Sequence, residues 1–218
     1  GQDASWLSSA VLDGDTLTFG IPGTLGWLNT AEYDKAVFGR GHVVTLAPGE
    51  AAYCGRKSGG NNFHSYDLRG VTLTSGRWYY EVTMVTDLAK ESGAYQVGWI
   101  DGAYKDGSTY DGVGDNTESW AFDIPRAIKY HGPSQPYGRA LLPGEVLGVA
   151  VDLDDSTMHF SVNGSYEAPF GAAFEGFEFT DWLRPALTVS SPVAILNFGG
   201  ETPFKYPPPG DGYRPVWE

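Results

Sequence analysis

A single cysteine, Cys54, in 218 residues rules out an internal disulfide and the cysteine sets of zinc ribbons and RING fingers. Thiol scarcity of this kind suits a reducing compartment, so an intracellular, cytoplasmic setting is expected. Basic residues are also few: 14 Lys and Arg stand against 27 Asp and Glu, a formal net charge of −13. Binding to a phosphate backbone needs clustered cations, and here they are scattered, so no nucleic-acid partner is expected. The same deficit argues against an anionic membrane surface, and no run approaches the roughly 20 apolar residues of a spanning helix. No segment sustains a 3.6-residue apolar period with caps, so helices are not expected to form the core.

Aromatic residues, by contrast, make up 14% of the chain and hydrophobic residues 41%, enough for a sizeable core. The 30 glycines and 14 prolines follow no collagen period and sit between apolar runs, as turn residues do. Short runs rich in Val, Tyr, Phe and Trp read as strands at 42–46, 78–85, 94–101, 119–123, 128–130, 146–153, 158–162, 185–189 and 193–198. The fold class is therefore all-β, an antiparallel β-sandwich. One domain over 1–218 is expected, with an irregular flank at 1–40, a sandwich core at 41–200 and a proline-rich strap at 201–218. Within the flank, Thr30 to Ala36 has some helical character. The chain starts Gly1-Gln2-Asp3 with no initiator Met or apolar leader, as a fragment of a larger protein would.

Two turns have a mechanism. Asn163-Gly164 supplies the two positive φ values of a type I′ hairpin turn. Asp154-Asp155-Ser156-Thr157 links two strands through side chains that bond their own backbone, giving a meander of three strands. Two connections, 101–117 and 131–145, are too long for turns and carry Tyr104, Tyr110, His131, Tyr137 and Arg139. Loops of that length are where binding surfaces are usually found.

Catalytic constellations are weak. The carboxylates Asp101, Asp106, Asp111 and Asp115 miss the EF-hand spacing, because Ala103 and Lys105 stand at its third and fifth places. Asp152, Asp154 and Asp155 are explained by the turn. Glu118 and Asp123 are five apart and face opposite sides of a regular strand, unlike a glycosidase pair. Cys54 with His42 or His64 is the one candidate nucleophile pair, and nothing in the spacing joins them. No cofactor or metal is expected. The strand aromatics Trp78, Tyr80, Trp99, Trp120, Phe122, Phe160 and Phe198 are expected in the core.

The order of motifs resembles the SPRY domain, the core of B30.2. The pieces are Gly76-Arg77-Trp78-Tyr79-Tyr80-Glu81-Val82, Val97-Gly98-Trp99, Gly112-Val113-Gly114-Asp115 with Ser119-Trp120-Ala121-Phe122-Asp123, Tyr137-Gly138-Arg139, Pro143-Gly144-Glu145, Phe160-Ser161-Val162-Asn163-Gly164 and Asn197-Phe198-Gly199. The tail, Tyr206-Pro207 and Gly212-Tyr213-Arg214-Pro215, is similar to that of the SPRY domains of ryanodine receptors and large RING-type ubiquitin ligases. The PRY half of tripartite-motif proteins is not evident in residues 1–40.

The resemblance implies a bent, concanavalin-like sandwich of two antiparallel sheets. It also implies a non-catalytic module that recognises a peptide or folded protein through loops at one end. Carried onto this chain, the partner-binding residues are Tyr104, Tyr110, Asp111, Tyr130, His131, Tyr137 and Arg139, with Asn61 and His64 from the 55–64 segment. An acidic module favours a basic or neutral ligand, and as an isolated domain it is expected to be a monomer. Two other readings stay open: a lectin-like sandwich that stacks sugars on loop aromatics, and a structural domain packed within a large channel or ligase.

Overall fold

The computed structural model describes residues 17–19, 25–27, 42–46, 52–56, 64–68, 71–90, 93–104, 112–189, 194–199 and 203–217. Its regular elements are strands: β1 (Leu17–Phe19), β2 (Leu25–Trp27), β3 (His42–Leu46), β4 (Ala52–Arg56), β5 (His64–Leu68), β6 (Arg77–Met84), β7 (Tyr95–Asp101) and β8 (Ser119–Asp123) in the first half. The second half adds β9 (Ile128–Tyr130), β10 (Ser134–Pro136), β11 (Val146–Asp152), β12 (Thr157–Val162), β13 (Gly171–Glu175), β14 (Leu183–Val189), β15 (Ala194–Asn197) and β16 (Tyr213–Pro215). Among the described residues no helix is long and apolar enough to cross a membrane.

They form two sheets. Sheet A runs β1-β3-β4-β15-β6-β11-β12-β13, with β16 also on β6, and sheet B runs β10-β9-β8-β7-β14-β5-β2. Pairing is antiparallel except for β1 with β3 and β16 with β6. β6 is the spine of sheet A. One edge pairs with β11 from Arg77 to Thr83, while the other is shared, β15 taking Glu81–Met84 and β16 taking Arg77–Tyr79.

The space between the sheets is filled from both sides by alternate residues, as the strand period requires. Tyr80, Val82 and Met84 of β6 and Leu147, Val149 and Val151 of β11 meet Val97 and Trp99 of β7 and Trp120 and Phe122 of β8 in one buried cluster. The residues between them are buried as well: every position of β7, β8 and β11 is shielded from solvent. Strands covered on both faces explain why these runs are largely apolar or small instead of alternating, with the buried polar residues Gln96, Asp101, Asp123 and Asp152 as exceptions. Each outer face has its own roof, residues 102–104 and 112–118 over sheet B and residues 203–212 over sheet A.

Both expected turns form. Asn163 and Gly164 take φ of 50° and 77°, the Val146 N–H donates to Asn163 Oδ1 at 2.9 Å, and Asp152 Oδ1 accepts from the Asp154 and Asp155 N–H at 3.0 and 3.1 Å. The third strand of the meander, however, is β13 at Gly171–Glu175, because Ser165 makes only a single bridge to Val162.

Several expectations need correction. The 1–40 flank contains β1 and β2, edge strands too short to show an alternating pattern, and Thr30–Ala36 lies outside the described residues. β4 and β5 were not expected, so the 55–64 segment is partly sheet. The 131–145 connection is not structureless: β10 pairs with β9 inside it. Trp78, expected in the core, is only half-buried at the end of β6, where the Arg214 guanidinium lies 4.2 Å over its ring. Its neighbour Tyr79 is 1% exposed, because the C-terminal residues cover the outer face on which it lies.

Candidate functional site

The described ends of the connection between β7 and β8, residues 102–104 and 112–118, form a flap on the outer face of sheet B, and they show how the sequence pins it. At the root, buried Asp101 accepts from the Ala103 N–H through Oδ1 and from the Thr180 N–H through Oδ2, both at 2.9 Å. The Gly102 N–H donates to the Thr180 carbonyl at 2.8 Å. One carboxylate thereby ties the flap to the connection between β13 and β14.

Farther along, the flap meets the sheet with its backbone. The Val113 N–H donates to Thr188 Oγ1 at 2.8 Å, and that hydroxyl is hydrogen-bonded to Ser65 Oγ at 2.7 Å. Gly112 leaves no room for a side chain, since a Cβ there would meet Gln96 Oε1 at 1.9 Å, and Gly114 sits at φ +100°. Asp115 accepts from the Gly112 N–H at 2.6 Å and from Gln96 Nε2 at 3.3 Å. On the return, Asn116 Oδ1 accepts from Ser119 Oγ at 2.6 Å, and Ser119 Oγ accepts from the Gly114 N–H at 2.7 Å. The glycine and small polar residues of the Gly112-Val113-Gly114-Asp115 motif are those that let a main chain lie flat on a sheet.

Among the described residues, the expected partner-binding residues fall in several places. Tyr104, at the start of the flap, is half-buried against the cluster of Ile100, Val113, Ala121 and Ala186. Tyr130 shares the outer side of sheet B, packed near Gly114, and its phenol accepts from Arg126 Nη1 at 3.2 Å. Its successor His131 points to the other side, as strand alternation demands. There the His131 ring stacks on Trp120 at 4.7 Å and its Nδ1–H donates to the Ser119 carbonyl at 3.0 Å.

Tyr137 and Arg139 are carried away by β10. The Tyr137 ring closes the inter-sheet space against Phe122, Phe160 and Phe170, and its hydroxyl donates to the Gly171 carbonyl at 2.7 Å. Burial raises its pKa, so it acts as a wedge in the core rim. Arg139 is clamped by both oxygens of Glu145, each at 2.7 Å. His64 opens β5 opposite Val189, at the end of sheet B remote from Asp101. Tyr110, Asp111 and Asn61 lie outside the described residues.

Sequence reasoning missed Asp123. It ends β8 on the outer side, is fully buried, and has Arg126 Nε 2.7 Å from Oδ2. Burial pushes its carboxyl up to about 6, against the pull of Arg126. The spacing Asp123 to Arg126 across a tight turn was the available signal. Sequence reasoning also missed Trp182, on whose ring the Arg184 guanidinium stacks at 3.9 Å while bonding Asp67 at 2.7 Å. Cys54 and His42 lie on neighbouring strands two register positions apart, and His64 is in the other sheet. Among the described residues no group of His, Cys, Asp and Glu has a metal-holding arrangement.

Comparison with known proteins decides the family, because the model of the SPRY domain matches residues 77–201. The chain belongs to the SPRY-domain family. Similar proteins include the E3 ubiquitin-protein ligase RKP of Arabidopsis thaliana, 37% identical over 150 residues that cover 67% of this chain and 11% of the relative. SPRY domain-containing SOCS box protein 2 of Mus musculus is 35% identical over 75 residues, and SPRY domain-containing SOCS box protein 1 of Homo sapiens 40% over 76. Each of these covers 30% of this chain and 27% of the relative. This chain thus spans 11% to 27% of the length of these relatives. Membership makes the chain a protein-interaction module, and the two-sheet sandwich is the fold the motifs implied.

Proposed function

We propose that this SPRY domain recognises a neutral or basic protein segment through the flap at 102–118 and the 176–182 connection at its root. The carrying observation is that both described ends of the flap are fixed by side chains of the rigid sheet, Asp101 and Thr188 above all. A surface whose supports are already ordered loses less conformational freedom on binding. Around the root stand Glu118, Glu178 and Asp181, the last two exposed. Such a rim favours cationic partners and speeds their association at low salt. Tyr110 and Asp111 lie outside the described residues and enter this reading from the sequence alone; Tyr137, Arg139 and His64 are not part of it.

The relatives' names, an E3 ubiquitin-protein ligase and two SOCS box proteins, support a role in selecting the protein on which a longer intracellular chain acts. The domain itself is non-catalytic and monomeric in this reading. The test is capture from lysate followed by calorimetric titration of the captured protein. Tyr110→Ala and the pair Glu178→Lys with Asp181→Lys should each weaken binding by about 1–4 kcal/mol with an unchanged circular dichroism spectrum. Wild-type affinity in both variants would place the interface elsewhere.

A further inference from the structure

The outer face of sheet A is organised around Glu81, a carboxylate in the middle of β6 that is 1% exposed. Its donors are not neighbours in sequence. The Lys205 N–H donates to Oε2 at 2.9 Å and the Tyr206 N–H to Oε1 at 2.8 Å, from 124 and 125 positions away. Tyr79 Oη adds a longer contact to Oε1 at 3.3 Å. Two successive backbone amides on the two oxygens of one carboxylate is recognition of a main chain, in charge-assisted hydrogen bonds stronger than neutral ones.

The rest of the contact has the same character. Asn197 Nδ2 donates to the Pro203 carbonyl at 3.1 Å and Tyr166 Oη to the Pro207 carbonyl at 3.4 Å. Between these backbone contacts, side chains alternate: Phe204 and Tyr206 turn inward, while Pro203, Lys205 and Pro207 are exposed. The Phe204 ring meets Tyr79 edge-on at 4.8 Å, and Tyr206 lies against Gly164, where a Cβ would come within 3.1 Å of its ring. An extended segment held by its amides and carbonyls, with alternate side chains set against aromatic and glycine surfaces, is how extended peptides bind folded domains.

The covered surface is also unlike a core. Beneath the strap lie Tyr79, Glu81 and Tyr166, whose hydroxyls and carboxylate water can solvate. Burial pushes Tyr166 up to about 12. The end of the chain differs: Val216 is buried in the main core cluster and β16 is part of sheet A. Residues 203–212 are thus anchored separately from the residues after them.

We propose that the outer face of sheet A is a second peptide-binding site, separate from the flap surface, and that residues 203–207 are its resident ligand. The class it accepts is an extended segment with two inward aromatic side chains flanking one exposed residue, followed by proline. Lifting the strap exchanges this internal ligand for a segment of the same chemistry from another chain.

The full 218-residue chain with Phe204→Ser and Tyr206→Ser frees the site, and a fluorescein-labelled peptide with the sequence of residues 203–212 is the probe in polarisation titrations. The freed chain should bind the peptide at least tenfold more tightly than wild type, and Glu81→Ala in the freed chain should remove that gain. Equal binding to freed and wild-type chains, or no effect of Glu81→Ala, overturns the proposal. If the freed chain fails to fold, hydrogen exchange of the wild type decides. Faster exchange of the Lys205 and Tyr206 amides than of β11 amides, by tenfold or more, supports a separable ligand, and exchange in step with β11 overturns it.

Discussion

The two roofs of the sandwich are built on different chemistry. Over sheet B, the flap brings Val113 and Tyr104 down on Ile100, Ala121 and Ala186, so lifting it would expose apolar surface. Over sheet A, the strap covers the Glu81 carboxylate and the Tyr79 ring, and it is held by backbone hydrogen bonds to Glu81 together with the inward Phe204 and Tyr206 rings. The first roof belongs to the core energetically, at roughly 25 cal/mol per Å² of apolar area kept from water. The second covers the Glu81 carboxylate and the Tyr79 hydroxyl, groups that water can solvate, along with a smaller aromatic contact. A cover over apolar groups stabilises the fold and resists displacement, whereas a cover over solvatable groups is free to exchange.

The largest effect should come from beneath both roofs. Phe160 is fully buried and packs against Phe122 and Tyr137 at 5.6 and 5.9 Å. Phe160→Ala should cost about 3–5 kcal/mol in chemical denaturation, the usual loss for a core phenyl ring. A cost below about 1 kcal/mol would mean that the aromatic cluster is not the common support of the two sheets.

The root of the flap comes next. Asp101→Ala leaves the Ala103 and Thr180 N–H groups without their acceptor, and hydrogen bonds to a charged group contribute about 1.5–3 kcal/mol each. An overall loss of about 2–3 kcal/mol is expected, with partner binding weakened as well, since Asp101 joins the flap to the 176–182 connection. Loss of binding without loss of stability would separate the flap from the core and erase the contrast with the strap.

Asp123 sharpens the comparison through pH. Its folded-state pKa of about 6 stands above the ordinary 3.8, so the folded chain holds the proton more tightly than the unfolded one. The contribution is full below the unfolded value and is lost as pH rises through the folded value. Two pKa units correspond to about 2–3 kcal/mol for this buried group. Asp123→Asn, which cannot ionise, should gain about 2 kcal/mol relative to wild type between pH 4 and pH 7. A flat difference across that window would show that Arg126 fully compensates the buried charge.

How much of this was legible beforehand follows from sequence distance. β8 and β9 were readable to the residue and β6, β7 and β11 within one residue, because aromatic and β-branched runs bounded by Gly, Pro or Asp carry their own signal. The Asn163-Gly164 turn was readable for the same reason. β10, with the sequence Ser-Gln-Pro, has no strand signal and forms because β9 offers it an edge. Missing it placed Tyr137 and Arg139 beside His131, when in fact one strand separates them. The flap was visible as a long connection, but nothing local shows that Thr188, 75 positions on, would hold it. Glu81 reads as a surface position between Tyr80 and Val82, and only the returning C-terminal segment buries it.

The smallest expected effect tests whether the strap is read through its backbone. The Lys205 side chain is exposed and makes one long contact, Nζ to Thr83 Oγ1 at 3.4 Å, while its backbone N–H makes the 2.9 Å bond to Glu81. Lys205→Ala keeps that N–H, so stability should change by less than about 0.5 kcal/mol, as for surface substitutions generally. Exchange of the Lys205 and Tyr206 amides should stay at its wild-type rate. Replacing the same residue by proline removes the N–H and should release the strap, seen as faster proteolysis within 203–212 at an unchanged core spectrum. Equal behaviour of the alanine and proline variants would mean that the strap is held by its side chains, like the flap, and that the two roofs differ only in length.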